Sequence, residues 1–244
     1  MQTPSLSYQE SWSRSAIKSF SWRALATLTT VTLVYLLTEK VELAMAAGTL
    51  EMSIKMVLYF VHERAWDRVN FGKKALPSGV IWLTGLSGSG KTTIAEALAK
   101  EMRRQGFRVD WLDGDVTRNI LPQTGFSKKE RDAHVLKAGF IAKTLENNGI
   151  FAIASYISPY RETRDRVRAM CRNFIEVHVA TPLDTCEERD VKGLYAKARR
   201  GEIRQFTGID DPYEAPKQPE MVVDTRRESV DQAVTRILRC VKQL

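Results

Sequence analysis

Nine residues, Gly85-Leu86-Ser87-Gly88-Ser89-Gly90-Lys91-Thr92-Thr93, follow the pattern G-x-x-x-x-G-K-[ST]. Such a loop turns successive backbone N–H groups onto an anion, and its glycines let the backbone bend far enough to do so. Lys91 has the reach and charge for the β- and γ-phosphates of a nucleoside triphosphate. The Thr92 hydroxyl suits Mg²⁺. The flanks agree: Val80–Thr84 reads as a buried strand, and Thr92–Arg104 as a helix ended by Gly106. That order sets the phosphates at a helix N-terminus, where the dipole favours negative charge.

Three later stretches could also carry chemistry. Asp113-Gly114-Asp115 places two carboxylates around a glycine, which suits Mg²⁺ handling and activation of a hydroxyl nucleophile; by itself it equally fits a plain Asp-Gly turn. Ile157-Ser158-Pro159-Tyr160-Arg161 could present a serine hydroxyl from an extended backbone, with Arg161 as a bidentate anion ligand. The same residues fit a strand-to-helix turn with a solvated arginine. Between Thr181 and Glu214 the chain is basic and punctuated by glycine, as a lid closing over nucleotides would be. Phe206, an aromatic in so polar a stretch, suits stacking on a base.

These pieces need a scaffold. From Leu76 onward, apolar runs at Val80–Thr84, Arg108–Leu112, Ile150–Tyr156, Phe174–Ala180 and Met221–Val223 alternate with helical stretches. The helices begin near Thr92, Lys128, Glu162 and Leu183, and a last one spans Ser229 to Lys242. The pattern predicts an α/β fold, a P-loop NTPase-type parallel sheet with helices on both faces, over residues 76–244. Its binding site belongs at the carboxyl ends of the strands, where all the candidate residues fall.

Residues 1–75 are a different kind of sequence. Ala24–Thr38 has no charge. After a polar link at Glu39, Lys40 and Glu42, Leu43–Val61 is again mostly apolar but carries Glu51 and Lys55, spaced to pair on one helix face. Arg14, Lys18 and Arg23 precede the first stretch, and Arg64, Arg68, Lys73 and Lys74 follow the second. Trp22, Tyr35, Tyr59 and Trp66 fall near the ends. Length and flanks predict a helical hairpin in the membrane over residues 13–72, with both ends in the cytoplasm. A soluble amphipathic hairpin docked on a partner is the alternative. His62-Glu63-Arg64 reads as a polar cluster at a helix end, since one His beside one Glu makes no metal site.

Composition narrows the partners. The 244 residues are 43% hydrophobic and 27% charged, as in a folded protein, with a net charge of +8. A basic surplus suits an anionic membrane face or a polyanionic small substrate. No nucleic-acid signature is present, so nucleic acid is not expected. Cys171, Cys186 and Cys240 stand far apart, which fits a reducing compartment.

Several motifs together resemble adenylyl-sulfate kinases from about Pro77 to Leu244. They are the loop at 85–93, Asp113-Gly114-Asp115 with Arg118, Gly125-Phe126-Ser127, Arg131, and Ile157 through Arg161. Cys186-Glu187, Lys192-Gly193-Leu194-Tyr195, Lys197-Ala198-Arg199, Gly201-Glu202-Ile203 and Phe206 through Tyr213 complete the set. The N-terminal segment resembles a small bacterial family of predicted membrane domains, through Lys18, Ser21-Trp22-Arg23, Tyr35, Thr38, Glu51, Lys55, Tyr59, His62-Glu63-Arg64 and Trp66.

The first resemblance implies transfer of phosphate from Mg-ATP to the ribose 3′-hydroxyl of adenylyl sulfate, as in sulfate assimilation. It implies that Gly85, Leu86, Ser87, Gly88, Ser89, Gly90, Lys91, Thr92 and Thr93 bind ATP, and that Thr92 and Asp115 handle Mg²⁺. Lys91, Asp115, Ser158 and Lys192 become the catalytic candidates. Lys197 joins Lys192 on the lid. Asp113, Arg118, Phe126, Arg131, Ile157, Arg161, Lys192 and Phe206 become substrate contacts, with Phe126 and Phe206 sandwiching the adenine. A phosphoserine at Ser158 belongs to the family's description, although in-line transfer needs none. The kinase domain is expected at the cytoplasmic face of a membrane, and a homodimer is compatible with that.

The sequence departs from the family pattern Arg-x-Glu-Asn-Ile-Arg-Arg after Arg131. His134 stands for the Asn, Leu136 for an Arg, and Val116 for the Asn after Asp115. A kinase of another small nucleotide, and an inactive nucleotide-binding membrane scaffold, are therefore the competing readings.

Overall fold

The structure is a computed structural model, and it describes residues 8–10, 12–37, 41–69, 71, 73–75, 77–121 and 127–244. Phe126, Gly125 and the polar link at Glu39 and Lys40 lie outside the described residues, as do the side chains of Tyr35 and Glu51. The chain forms two compact units that divide between Ala75 and Leu76.

In the first unit, strands β1 (Tyr8–Glu10) and β2 (Lys73–Ala75) pair antiparallel, and between them run helices α1 (Trp12–Leu37) and α2 (Val41–Arg68). Arg14 is buried at 1% exposure. Its Nη1 donates to the carbonyls of Val69 (2.7 Å) and Phe71 (2.8 Å), and its Nη2 to that of Trp66 (2.6 Å). One guanidinium thus holds three carbonyls at and just past the end of α2, at the negative end of that helix. Further polar contacts lie between the two helices. Lys18 pairs with Glu63 at 2.7 Å, while Nε2 of His62 lies 2.9 Å from the Ser21 hydroxyl and accepts from Trp66 at 3.0 Å. Trp22 stands edge-on to Tyr59 at 5.0 Å. Apolar side chains face outward instead: Trp12, Phe20, Met56, Val57, Phe60 and Val61 are all exposed. Among the described residues no helix is long and apolar enough to cross a membrane. The second half of α2 carries Lys55, His62, Glu63, Arg64, Asp67 and Arg68, and much of both expected spans lies among side chains outside the described ones.

The second unit is built on five parallel strands: β3 (Gly79–Thr84), β4 (Val109–Asp113), β5 (Phe151–Tyr156), β6 (Phe174–Val179) and β7 (Met221–Val223). Their order across the sheet is β4-β5-β3-β6-β7. Every residue of β3 and β5 is buried, as expected of central strands covered on both faces. Alternation along β3 divides the core. Ile81 and Leu83 pack with Leu98 and Met102 of α3 (Lys91–Arg104) and Ile237 of α9 (Val230–Val241). Val80 and Trp82 pack on the other face with Val135 and Ala138 of α5 (Lys128–Asn147) and Val167 of α6 (Arg161–Met170).

Three short helices complete the unit: α4 (Gly114–Ile120), α7 (Leu183–Arg189) and α8 (Leu194–Arg199). Helix α4 starts inside an Asp-Gly turn signal, and α8 lies in a glycine-punctuated basic segment. Strand β4 runs one residue further than expected, to Asp113, because that residue both closes the strand and caps α4. Strand β3 is flanked by β5 on one side and β6 on the other, so the chain after it opens at the point where the strand order reverses. That crevice is where ligands bind in such sheets.

Candidate active site

The loop after β3 is shaped by what surrounds it. A Cβ on Gly85 would meet the Val179 carbonyl oxygen at 2.5 Å, so only glycine fits there. Gly90 has φ 100° and opens α3 with no side-chain cap, which leaves the first turn of that helix suited to an anion. Lys91 is buried, and its Nζ donates to the Leu86 carbonyl at 2.6 Å and the Ser89 hydroxyl at 3.3 Å. Burial lowers its pKa to about 8. Thr92, next to it, is exposed.

Residues at the ends of β6 and β7 brace this loop, and no motif pointed to them. Thr181 donates to the Ser89 carbonyl at 2.9 Å, and Thr225 to the same oxygen at 3.2 Å. Arg189 on α7 donates to Thr225 at 2.9 Å. The signal that could have found Thr181 and Thr225 is positional, since each stands just past the carboxyl end of a parallel strand.

The two carboxylates of Asp113-Gly114-Asp115 have different surroundings. Asp113 Oδ1 accepts from the amides of Asp115 (2.9 Å) and Val116 (3.2 Å), and its Oδ2 from the Ser155 hydroxyl (3.1 Å). Ser155 is in turn held by Trp111 Nε1 at 3.0 Å. Both Asp113 oxygens are therefore engaged by the protein, and the residue sets the start of α4. Asp115 is exposed and makes an ion pair with Lys192, from the loop between α7 and α8. One turn along α4, on the face of Asp115, comes Arg118, whose pKa is lowered first by burial and then by Arg131. Helix α5 begins with a Ser127–Glu130 capping box that fixes its first turn, and Arg131 and His134 follow on it.

Arg131 is buried, donates to the Thr207 hydroxyl and the Gln205 carbonyl, and lies 3.8 Å from Asp211. Those contacts fasten the segment that carries Phe206. Phe206 is itself 8% exposed, edge-on to Tyr195 at 5.0 Å. The Tyr195 hydroxyl donates to the Ser87 carbonyl at 3.0 Å, so this part of the lid lies against the phosphate loop. Arg161 donates to the Ala215 carbonyl at 3.2 and 3.0 Å. The Ile157 carbonyl accepts from Thr84 at 2.8 Å. Lys197 lies exposed on α8.

Ser158 is buried at 3% exposure and has φ 37°, a strained value for a non-glycine residue. Its hydroxyl accepts from Trp82 Nε1 and donates to Thr84, both at 3.0 Å. Its partners here are an indole and a hydroxyl, neither of which can take its proton as a base.

His134 is 3% exposed, and neither ring nitrogen makes a hydrogen bond of good geometry, the Gly114 backbone being its polar neighbour of effect. Burial, aided by Arg118, holds its pKa down to about 4. The ring is thus neutral at pH 7 and packs near Tyr156, at 5.6 Å.

A phosphate loop, an exposed carboxylate beside a lysine, and two arginines on α4 and α5 are the parts of a phosphoryl-transfer site. Comparison with known proteins fixes the family. Residues 77–224 match the family Adenylylsulphate kinase. The chain is 52% identical over 165 residues to the adenylyl-sulfate kinase of Rippkaea orientalis, covering 67% of this chain and 91% of that protein. The chain belongs to the adenylyl-sulfate kinase family. A second kinase, from Halothermothrix orenii, is 45% identical over 164 residues, covering 67% of this chain and 89% of that one. Among solved structures, the Mycobacterium tuberculosis APS kinase in complex with AMPPNP and APS shares 36% identity. Its TM-score is 0.66, over 68% of this chain and 98% of that one. An APS kinase from Thiobacillus denitrificans described as hexameric shares 35% identity at a TM-score of 0.52, over 68% of this chain and 29% of that one. Residues 16–67 match a different family, Predicted membrane protein (DUF2061). The expected architecture is the one found: an adenylyl-sulfate kinase unit on a P-loop parallel sheet, following an N-terminal helical segment that matches a predicted membrane protein family.

Proposed function

We propose that this chain transfers the γ-phosphoryl group of ATP to the 3′-hydroxyl of adenylyl sulfate, giving 3′-phosphoadenylyl sulfate. The observation that carries the reading is the meeting of Lys192 with Asp115 beside a phosphate loop, in a chain of this family. Gly85 through Thr93 would hold the triphosphate on loop amides, with Lys91 leaving the Leu86 carbonyl for the β/γ-oxygens. Among the described residues no group of three or more His, Cys, Asp or Glu could hold a metal by itself. The exposed oxygens of Thr92 and Asp115 nevertheless fit Mg²⁺, which takes few protein ligands and relies on phosphate and water. When bound, Mg²⁺ supplies charge neutralisation on the transferring group.

Asp115 then orients the attacking hydroxyl and accepts its proton, and Lys192 moves from Asp115 to the phosphoryl oxygens as the lid closes. Arg118 faces the phosphosulfate. Arg131 and Asp113 serve the same site by holding the Phe206 segment and α4. Phe206, with Phe126, would bound the acceptor base, and Ile157 and Arg161 would edge it. Ser158 has no base in contact to activate it, which supports direct in-line transfer with no phosphoserine.

The hairpin of residues 13–72 would hold the chain at the cytoplasmic face of a membrane through its outward apolar side chains. The decisive experiment is ADP release from ATP and adenylyl sulfate by the full chain. Turnover abolished in Lys91→Ala and retained in Ser158→Ala is the expected result. Absence of turnover with adenylyl sulfate would overturn the reading and favour a kinase of another small nucleotide.

A further inference from the structure

Arg164, one turn into α6, belongs to no motif discussed above, yet it is 1% exposed. A guanidinium this deeply buried must find partners for its donors, because an unpaired buried charge is costly. It finds three. Nε donates to Glu176 Oε1 on β6 at 2.8 Å, Nη1 to the Ser158 carbonyl at 2.6 Å, and Nη2 to the Glu214 carbonyl at 2.6 Å. Glu176 is itself fixed, since it also meets Arg168 at 3.3 Å and its amide donates to Glu220 at 2.7 Å.

The two carbonyls that Arg164 holds belong to two segments that lie side by side. One is the strained Ser158, whose peptide must be pinned if a non-glycine residue is to keep φ 37°. The other ends the stretch that runs from Phe206 to Glu214. That stretch is tied to the same turn by Glu214 N to the Pro159 carbonyl (2.9 Å), by Arg161 N to Glu214 Oε2 (2.8 Å), and by the Tyr160 hydroxyl to Asp211 (2.9 Å). Tyr213 adds a link from its hydroxyl to Thr84 at 3.0 Å, under the Arg164 guanidinium at 5.8 Å. The phosphate loop is braced separately, by Thr181 and Thr225 on the Ser89 carbonyl.

We infer that Arg164 is a positioning residue that acts mainly on the acceptor side of the cleft. By clamping the Ser158 turn to the Tyr213-Glu214 segment, it sets Phe206 and Arg161 against the acceptor nucleotide. The inference rests on the kinase reading above, and deepens it by assigning acceptor binding to a residue that touches no substrate. The test uses the full chain and two variants. Arg164→Lys keeps the charge but loses the three-way fork. Arg164→Gln/Glu176→Gln removes both charges together and so leaves none unpaired, which keeps the test open if the first variant does not fold.

In a variant that folds, the KM for adenylyl sulfate is expected to rise about tenfold or more while the KM for ATP changes less than about twofold, a split that general destabilisation would not produce. Equal change in both constants, or no change, overturns the inference. If the wild-type chain does not turn over adenylyl sulfate, the kinase reading fails and amide hydrogen exchange decides this one. Faster exchange at residues 157–160 and 211–215, with 85–93 unchanged, upholds the clamp, and unchanged exchange at the first two segments overturns it.

Discussion

The two units distribute polarity in opposite ways. In the kinase unit, Ile81, Leu83, Leu98, Ile153 and Ile237 are fully or almost fully buried, and the charged groups that could do chemistry sit at strand ends. Among the described side chains of the hairpin, several pairs between the helices are polar or aromatic, as in Lys18–Glu63, Ser21–His62 and Arg14 on the end of α2, Leu33 is buried, and Trp12, Phe20, Met56, Val57 and Phe60 face out. Water stabilises the first arrangement. In the second, burial of the exposed apolar side chains against an apolar medium would be favourable. The contrast runs parallel to the two families that the chain matches, an enzyme family over residues 77–224 and a predicted membrane protein family over residues 16–67, and among the described residues no helix is long and apolar enough to cross a membrane.

The comparison can be broken or sharpened by experiment. The largest effect is expected from Lys91→Ala, which should lower kcat by roughly a thousandfold or more while leaving membrane sedimentation of the full chain unchanged. Loss of both properties together would mean that the units are not separable in function. Next, Val57→Asp with Phe60→Asp places charge on the outer face of α2 and should cut the membrane-bound fraction about a hundredfold, with the thermal midpoint of the kinase unit unmoved. If binding to vesicles survives both aspartates, the outer face is not the contact.

A smaller effect concerns acid stability. His134 is neutral in the folded chain because burial, with Arg118 beside it, holds its pKa down to about 4, whereas an unfolded histidine titrates near 6.5. Between those values the unfolded chain binds a proton that the folded chain does not. The stability it contributes is full above about pH 6.5 and falls as pH drops towards 4, by on the order of 3 kcal/mol at full loss. His178, lowered to about 4 by burial, acts in the same direction. Urea midpoints of His134→Asn should therefore fall less steeply over that range than those of wild type, though not become flat. A wild-type slope of zero would show the ring to be solvated or paired.

The smallest effect is on ATP affinity in alkaline solution. Lys91 is lowered to about 8 by burial, and only its protonated form pairs with phosphate. The KM for ATP should rise about tenfold from pH 7 to pH 9. Lys91→Arg, whose guanidinium stays charged, should show a flatter profile whatever its absolute rate.

Much of the kinase unit was legible in the sequence because its signals are local. The phosphate loop is a contiguous motif, five apolar runs of strand length lie within a residue of the observed strands, and Ser127 and Ser229 open their helices with capping boxes that span four residues. The short helices α4 and α8 were not read from the sequence, since α4 starts inside an Asp-Gly turn signal and α8 lies in a glycine-punctuated basic segment. Nor could spacing reveal that Asp113 and Asp115, two residues apart, differ in role. That depends on Ser155, forty-two positions away, donating to one of them.

What the sequence by itself determined is the chemistry available: a lysine and hydroxyl on a phosphate loop, carboxylates and arginines at strand ends, and a charged lid. Those follow from residue type and short-range order. What only the tertiary structure decided is which charges are engaged by the protein and which face the cleft. Asp113, Arg131 and Arg164 are held by partners from distant segments, while Asp115 and Lys192 meet each other in the open. The reason is physical: a buried polar group must be paired, the pairing partner is set by packing, and packing joins residues that the sequence keeps far apart.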